Sequence, residues 1–318
     1  AMKTLVVSTD GKLMVTRPLW EAAKQHFDFD HVEVTREHGL EAYFNDADFS
    51  GYDRVIADTN LRRLGKRYQC LKRAPGLVIF DHDVCQNNVP TSEWYRRYPA
   101  VLRDLEKARI IVSGASLAGQ LREEGIDACF LPKGYDGTTI TDLGLDRTIE
   151  SAFVGRVKNK VYKRRKRFLL RQEKLGKVQL LRADPGEPYN RLLNEIRVFV
   201  SADIGFNEYM IKNFEAMAAG CVLLAWRQPA LEQQELGFVE NENVVLYDSE
   251  AELHERLQWL QDNPEKAGAI ARAGQEIVSE QHTWACRAAT FPGLLDAEIM
   301  SAPAVNWKDR IRLLGAGK

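Results

Sequence analysis

One carboxylate, Glu215, lies in the most apolar helical stretch of the chain. Phe214 and Met217 accompany it at helical spacing. Gly220 then predicts a left-handed helix end, and residues 221–226 predict a buried strand. An unpaired carboxylate in such surroundings costs several kcal/mol, so Glu215 needs a hydrogen-bond donor. That donor is either a structural group, such as a backbone amide or an arginine, or the hydroxyl of a ligand.

Nine cations lie between Arg156 and Arg171, directly after an apolar run that ends at Gly155. Open parallel sheets bind their ligands at the carboxyl ends of strands, which is where this run begins. Gly155 lets the backbone approach a ligand closely. Arginine grips phosphate through paired donors and lysine acts as a point charge, so Arg156 and Lys160 suit a diphosphate.

The remaining cations of this run, at 163–167, are expected to coat the helix that follows, although Arg164 or Arg165 can turn inward. Lys212 precedes Glu215 by one helical turn and has two interpretations. It is either an exposed helix lysine or a further contact to phosphate.

Acidic residues also follow an apolar run in the first half of the chain, where Asp81, His82 and Asp83 come after residues 77–80. Two carboxylates on one loop could hold Mg²⁺ or Mn²⁺. The D-x-D pattern is short and arises often by chance, so we expect no metal. The loop then supplies acceptor contacts or a general base, for which Asp83 is the candidate.

Residues 60–73 carry six cations, with leucine and tyrosine at helical spacing, and predict a basic amphipathic helix. Such a helix packs on a domain with its charges in water, or it offers a surface to anionic lipid or to a polyanionic acceptor.

Ten short apolar runs alternate with helical stretches along the chain. They lie at 4–8, 55–57, 77–80, 110–113, 128–131, 152–154, 178–181, 198–201, 221–226 and 244–247. Strands that are apolar without alternation belong in parallel sheets covered on both faces, so the fold class is α/β, doubly wound. Five runs precede residue 135 and five follow residue 150, with a polar connection at 133–147. Two Rossmann-like domains are therefore expected, at 1–135 and 149–290.

The composition argues against a disulfide-stabilised, a membrane-spanning or a dedicated nucleic-acid-binding protein. The 318 residues include 45% apolar residues, enough for two cores without disulfides. The five cysteines are dispersed and lack a C-x-x-C pair, which predicts reduced thiols. No apolar stretch is long enough to span a membrane, so we expect a cytoplasmic protein, with peripheral membrane contact through residues 60–73 as an option. A net charge of −1 argues against a dedicated nucleic-acid-binding protein.

The segment NFEAMAAG at 213–220, followed by a strand, resembles the nucleotide-sugar signature of the C-terminal domain in GT-B glycosyltransferases. Residues 188–207 and 249–288, which close on HTW and Arg287, are similar to glycosyltransferase group 1 proteins of the family 4 type, particularly the CgeB-like branch. The resemblance covers about 140 residues well. It implies two Rossmann-like domains facing a cleft, the first for the acceptor and the second for the donor, with residues 291–318 crossing back to the first domain.

The resemblance also implies roles for particular residues. Glu215 would hold the donor ribose, and Arg156 with Lys160 would hold the diphosphate. The other donor-site candidates are Gly155, Lys212 and Asn213.

One departure from the family pattern concerns the donor sugar. Family 4 proteins usually have a further glutamate eight positions before Glu215, where this chain has Asn207, and Glu208 stands one place late. Both residues are candidates for the donor site. Asn207 is also expected to be the N-cap of the helix, where backbone amides face an anion.

The resemblance implies transfer of a sugar from a nucleotide donor, UDP- or GDP-linked, to a glycan or glycolipid acceptor, with retention of configuration and without a metal or other cofactor. Two alternatives stay open. One is an inverting enzyme with an aspartate base at 81–83. The other is a non-catalytic GT-B-like module that binds nucleic acid or anionic membrane through its basic segments.

Overall fold

A computed structural model describes residues 1–315 and divides the chain into two units. The first unit comprises Ala1–Pro132 together with the chain from Arg287 onward, and the second comprises Lys133–Cys286. Each unit contains one parallel sheet flanked by helices, as the apolar runs predicted.

The first unit has six strands in the order β2-β1-β3-β4-β5-β6. The strands are β1 Thr4–Thr9, β2 Asp30–Val34, β3 Arg54–Asp58, β4 Leu77–Phe80, β5 Arg109–Val112 and β6 Asp127–Phe130. The helices are α1 Asp10–Ala23, α2 Arg36–Asp46, α3 Leu61–Leu64, α4 Tyr98–Asp104, α5 Ala115–Glu123 and, near the C-terminus, α13 Trp307–Leu314. Short 3₁₀ segments lie at Gly65–Arg73, Val84–Asn88 and Phe291–Leu294.

The second unit has five strands in the order β11-β10-β9-β7-β8. They are β7 Ile149–Val154, β8 Gln179–Leu181, β9 Ile196–Ser201, β10 Val222–Trp226 and β11 Val245–Tyr247. The helices are α6 Lys163–Lys174, α7 Glu187–Asn194, α8 Ile211–Ala218, α9 Ala230–Leu236, α10 Glu250–Asp262 and α11 Pro264–Gln281. The helix α12, Trp284–Thr290, contains the division between the units.

All ten predicted strands are present, and β2 is an eleventh that the sequence did not predict. The strand β2 lies at the edge of its sheet, and its sequence, DHVEV, leaves two residues exposed and three half-buried. An edge strand covered on fewer sides needs no continuous apolar run, so its pattern is weaker than that of a central strand.

The basic segment at 60–73 is not the continuous amphipathic helix that the sequence predicted. The α-helix stops at Leu64, Gly65 takes a positive φ of 54°, and a 3₁₀ segment follows. Its apolar side chains still point inward, because Leu64, Tyr68 and Leu71 belong to the core of the first unit.

The helix α8 begins at Ile211, later than predicted, and Met210 is its N-cap residue. Asn207 is therefore not the N-cap; it is exposed, with φ at 59° in the left-handed region. At the other end Gly220 has φ at 98°, so the predicted left-handed helix end is confirmed.

The polar stretch at 133–147 belongs to the second unit. The guanidinium of Arg147 donates hydrogen bonds to the carbonyls of Leu193, Ile196 and Ala219 at 3.2, 2.8 and 2.5 Å. These hydrogen bonds fix the stretch to the rest of the second unit, near the start of β9 and the end of α8.

The C-terminal segment packs into the first unit. Phe291 is fully buried and makes edge contacts with the rings of Trp20 and Phe80 at 5.1 and 5.4 Å. Asp309, also fully buried, accepts a hydrogen bond from Arg103 at 3.0 Å. All five cysteines are free thiols. Within residues 1–315, no helix has the length and apolar character needed to cross a membrane.

Candidate functional site

A cavity of about 720 Å³ opens in the second unit where three neighbouring strands end. Its walls follow the carboxyl ends of β7 at Val154, of β8 at Arg182 and of β9 at Ser201. Parallel α/β sheets bind ligands at this edge. The charged and hydrogen-bonding residues among those lining it are Lys133, Arg156, Arg165, Arg182, Asp184, Tyr189, Ser201, Asp203 and Lys212.

Arg165 is a buried cation in the wall of this cavity. It is buried, and its Nε lies 3.5 Å from Oδ1 of Asp203. Its guanidinium lies over the rings of Phe153 and Phe206 at 4.8 and 5.7 Å, where cation–π attraction adds to the ion pair. Of the two arginines that could turn inward, Arg164 is exposed and Arg165 is the buried one.

Asp203 balances this cation from the end of β9. Burial raises the pKa of its carboxyl, and the neighbouring Arg165 guanidinium opposes that effect. Asn213 donates from Nδ2 to Oδ2 of Asp203 at 3.1 Å, and Gln228 donates to its carbonyl at 3.0 Å. Asn213, predicted as a donor-site residue, is fully buried, is not part of the cavity wall and contacts the site through Asp203.

The two cations singled out from the sequence differ in position. Arg156 lines the cavity and is solvent-exposed, and its carbonyl accepts a hydrogen bond from Arg165 at 3.4 Å. Lys160 is exposed on the loop before α6 and is not part of the cavity wall. The structure therefore brings Arg156 and Arg165 together, with Lys160 further along the loop.

Gly155 lies next to the side chain of Lys212, directly after the carboxyl end of β7. Gly155 has φ at 145°, and a Cβ added there would stand 2.8 Å from Cε of Lys212. The Lys212 ammonium lies over the Tyr189 ring at 5.0 Å, and burial lowers the pKa of this lysine. Lys212 lines the cavity and is half-buried, so it is not the exposed helix lysine of the other interpretation.

Glu215 has the donor that its surroundings require. The Tyr189 hydroxyl donates to Oε1 of Glu215 at 3.0 Å. Burial raises the pKa of Glu215 to about 7, while Lys212 and the tyrosine hydrogen bond act in the opposite direction. Burial also raises the pKa of Tyr189, with a further increase from the adjacent carboxylate. A carboxylate of this kind changes charge near neutral pH.

Glu208 and Asn207 have different environments. Glu208 is buried and accepts a hydrogen bond from Nζ of Lys133 at 2.9 Å. Lys133 also contacts Sδ of Met210 at 3.7 Å and forms part of the cavity wall. The Glu208 carboxylate thus forms a buried ion pair beside the cavity, whereas Asn207 is exposed.

The acidic loop of the first unit is occupied by internal hydrogen bonds. Asp81 is fully buried, accepts from the amides of Leu61 and Asp83 at 2.8 and 2.7 Å, and has its pKa raised to about 6 by burial and by Asp83. Asp83 accepts from Nε of Arg62 at 2.5 Å and from Asn60 at 3.1 Å. Among residues 1–315, no cluster of three or more histidine, cysteine or acidic side chains suits a metal ion.

Sequence reasoning missed several residues of this site, among them Lys133, Tyr189 and Asp203. Tyr189 lies in α7 and Lys133 at the start of the second unit, 26 and 82 residues from Glu215 in the sequence, so no local spacing links them to it. Asp203 follows the apolar run of β9, and a polar residue at the carboxyl end of a parallel strand is a signal that could have identified it.

Known proteins resemble this chain in both units. Residues 149–292 match a family described as Glycosyl transferase-like. Sucrose-phosphate synthase from Thermosynechococcus elongatus has a similar structure, with a TM-score of 0.67 and 14% identity over 92% of this chain and 98% of that one. Anabaena Alr3699/HepE in complex with UDP matches with a TM-score of 0.61 and 14% identity, over 92% of this chain and 99% of that one.

A glycosyltransferase from Rickettsia africae matches with a TM-score of 0.58 and 12% identity over 92% of this chain and 97% of that one. At these identities the likeness shows a common fold of two parallel α/β units. A comparison with curated protein sequences finds no match.

Proposed function

Because the chain is a glycosyltransferase with the GT-B fold, we propose that its second unit binds a nucleoside diphosphate sugar in the cavity at the ends of β7, β8 and β9. The observation that carries this proposal is the cationic lining of that cavity, above all Arg156 and Arg165. Both lie within the residues matched by the glycosyl transferase-like family.

The diphosphate of the donor would lie against Gly155, Arg156 and Arg165, with Lys212 contributing from α8. Negative charge develops on the leaving phosphate as the glycosidic bond breaks, so fixed cations at that point lower the barrier. Lys160 would join them from its exposed loop. These cations would also make a metal ion unnecessary, and we propose a metal-independent reaction on that ground.

The nucleoside would be recognised by Glu215. Its carboxylate has two oxygens, and Tyr189 contacts Oε1, which leaves acceptor capacity for ribose hydroxyls. Lys133 and Glu208 form their ion pair beside the same cavity and would orient the sugar part of the donor. Asn207, exposed just before α8, is the remaining candidate for a donor contact, and Asn213 would act through Asp203.

The donor class that we propose is a UDP- or GDP-sugar. Anabaena Alr3699/HepE, whose fold this chain shares, has been solved with UDP and with UDP-glucose, which favours UDP. The acceptor would be a glycan or glycolipid bound by the first unit. Retention of configuration and membership of the CgeB-like branch follow from the sequence resemblance and are part of the proposal.

The alternatives have less support. An inverting reaction with Asp83 as base would first require separation of the Arg62–Asp83 ion pair, and Asp81 is fully buried. A non-catalytic binding module does not account for a cavity at the ligand-binding edge of the sheet with five cations in its wall.

Thermal stabilisation tests the proposal, because a ligand that binds only the folded state raises the melting temperature. The ligands are UDP, GDP, ADP, TDP and CMP, and the proteins are wild type, Arg156→Ala and Glu215→Ala. Arg164→Ala, at an exposed arginine of α6, is the matched control. Stabilisation by one nucleotide, lost in both site variants and kept in the control, supports a donor site; no stabilisation by any of them contradicts it.

A further inference from the structure

The helix α13 presents an apolar stripe to solvent in the first unit. Trp307, Ile311 and Leu314 are 68%, 60% and 80% exposed. With 3.6 residues per turn these three positions fall within an arc of about 60° on one side of the helix. Scattered apolar residues on a surface need no explanation, but three aligned on one helix form a face that water solvates poorly.

The opposite side of α13 is fixed to the protein. Asp309 forms a capping box with Asn306 and pairs with Arg103, and Leu313 packs against the core of the first unit. The helix therefore has a folded orientation, and its exposed stripe is a consequence of that orientation. The helix cannot turn its stripe inward without breaking the buried Arg103–Asp309 pair.

The exposed charges that α13 itself carries beside the stripe have one sign. Lys308 and Arg310 are exposed on either side of it, and Arg312 is half-buried. The one acidic residue of the helix, Asp309, is fully buried and neutralised by Arg103. A short helix with tryptophan and aliphatic residues flanked by lysine and arginine has the composition of a segment that lies in the interface of an anionic bilayer.

We infer that α13 is a membrane-docking element, which inserts Trp307, Ile311 and Leu314 among the lipids of an anionic surface and holds their headgroups with Lys308 and Arg310. The helix has eight residues and a length of about 12 Å, so it lies on the surface and does not cross it. This inference does not depend on the proposed donor site, because docking requires no nucleotide.

The structure favours α13 over the segment at 60–73, for which the sequence left membrane contact open as an option. The apolar residues of that segment are buried, so it has no apolar face to insert. Three of its six cations, Arg62, Arg67 and Lys72, lie within 3.7 Å of acidic side chains of the same unit. That segment could contact an anionic surface only through charge, for example with the exposed Arg63 and Lys66.

Co-sedimentation with vesicles of phosphatidylcholine, with and without phosphatidylglycerol, tests the inference on the whole protein. The wild type should bind the anionic vesicles, and the paired change Trp307→Ser with Ile311→Ser should weaken binding about tenfold or more. The pair Lys308→Gln with Arg310→Gln should weaken it to a similar degree, because each cation near an anionic surface strengthens the attraction to it. Met14→Ser, at an apolar residue of α1 that is 86% exposed, should leave binding unchanged.

Several results would overturn the inference. They are no binding by the wild type, equal binding to neutral and anionic vesicles, and unchanged binding by the α13 variants. Greater loss in Arg63→Gln with Lys66→Gln would assign binding to the other segment. A dimer that dissociates in the Trp307 and Ile311 variant, seen by sedimentation velocity without lipid, would assign the stripe to a second copy of the chain. If the serine pair lowers the melting temperature, the glutamine pair decides, since both of its positions are exposed.

Discussion

The hydroxyl of Tyr189 donates a hydrogen bond to Oε1 of Glu215 at 3.0 Å, and the ammonium of Lys212 lies over the same tyrosine ring at 5.0 Å. Tyr189 comes from α7, and Lys212 and Glu215 from α8, so one tyrosine connects two helices at the wall of the candidate donor cavity. Gly155 completes the arrangement, because a side chain there would collide with Lys212. The carboxylate is therefore positioned before any ligand binds.

The raised pKa of Glu215 predicts a dependence of stability on pH. Its pKa is about 7 in the folded protein, against an ordinary value of 4.5. The folded state then holds this proton more tightly than the unfolded state, so the contribution to stability is present below about pH 4.5 and is lost as the pH rises toward about 7. Glu215→Gln removes the effect and should be more stable than the wild type by about 1–3 kcal/mol at about pH 8.

Melting temperatures at about pH 5 and about pH 8 measure this difference, because the glutamine variant should gain relative to the wild type as the pH rises. Glu235→Gln, at an exposed glutamate of the same unit, is the matched control and should follow the wild type at both pH values. A Glu215→Gln variant whose difference from the wild type is the same at both pH values would contradict the burial of an ionisable carboxyl.

Arg165 and Asp203 form a buried pair whose disruption should be costly. Arg165→Met keeps most of the side-chain volume but leaves the Asp203 carboxylate with Asn213 as its remaining side-chain donor. We expect a loss of stability of about 3 kcal/mol, since removing one member of a buried pair strands the other. Asp203→Asn in the same background should restore part of that loss.

The control for this pair is Arg164→Met, one residue earlier and exposed. It should change stability by no more than about 0.5 kcal/mol. Melting temperatures of the four proteins give the comparison, and equal effects of Arg164→Met and Arg165→Met would contradict the inward orientation of Arg165.

Substitutions at Gly155 test whether a side chain at this position would displace Lys212 as well as strain the backbone. Gly155→Ala would place a methyl group 2.8 Å from Cε of Lys212, at a φ of 145° that L-residues rarely adopt. We expect destabilisation of about 1–3 kcal/mol and displacement of Lys212, with weaker nucleotide binding.

Gly176→Ala is the matched control, because Gly176 also has a positive φ, of 68°, but has no neighbour within 4 Å of an added Cβ. It should cost about 1 kcal/mol and leave nucleotide binding unchanged. Titration calorimetry on both variants makes the comparison. Nucleotide affinity that is equally weakened in both would show that Lys212 is not specifically involved.

The architecture could be predicted because its determinants are local. Each apolar run of three to six residues marks a buried parallel strand on its own, and Gly220 marks the end of α8 by its conformational freedom. The strand β2 was missed because an edge position relaxes the apolar pattern. Asn207 was assigned as N-cap because its side chain is a frequent cap, although three further non-helical residues separate it from the start of the helix at Ile211.

The candidate site could be predicted only in part, since its residues come together through the fold. Glu215, Arg156 and Lys212 have local signatures, on an apolar helix and after a buried strand. The pairing of Glu208 with Lys133 and of Glu215 with Tyr189 depends on how β9, α7 and α8 pack, and no spacing in the sequence specifies it. The same packing decides that Arg165, and not Arg164, turns inward.

The central claim, that the cations of the second unit hold a nucleoside diphosphate, is tested most directly by titration calorimetry with UDP, UMP and uridine, or with the guanosine series if GDP is the better ligand. On the wild type, the diphosphate should bind at least about tenfold more tightly than the monophosphate, because charge-assisted hydrogen bonds to phosphate contribute about 1.5–3 kcal/mol each. Arg156→Gln should abolish most of that difference while leaving the affinity for the nucleoside unchanged. Equal affinity for diphosphate and monophosphate, or a difference that survives in Arg156→Gln, would contradict the account.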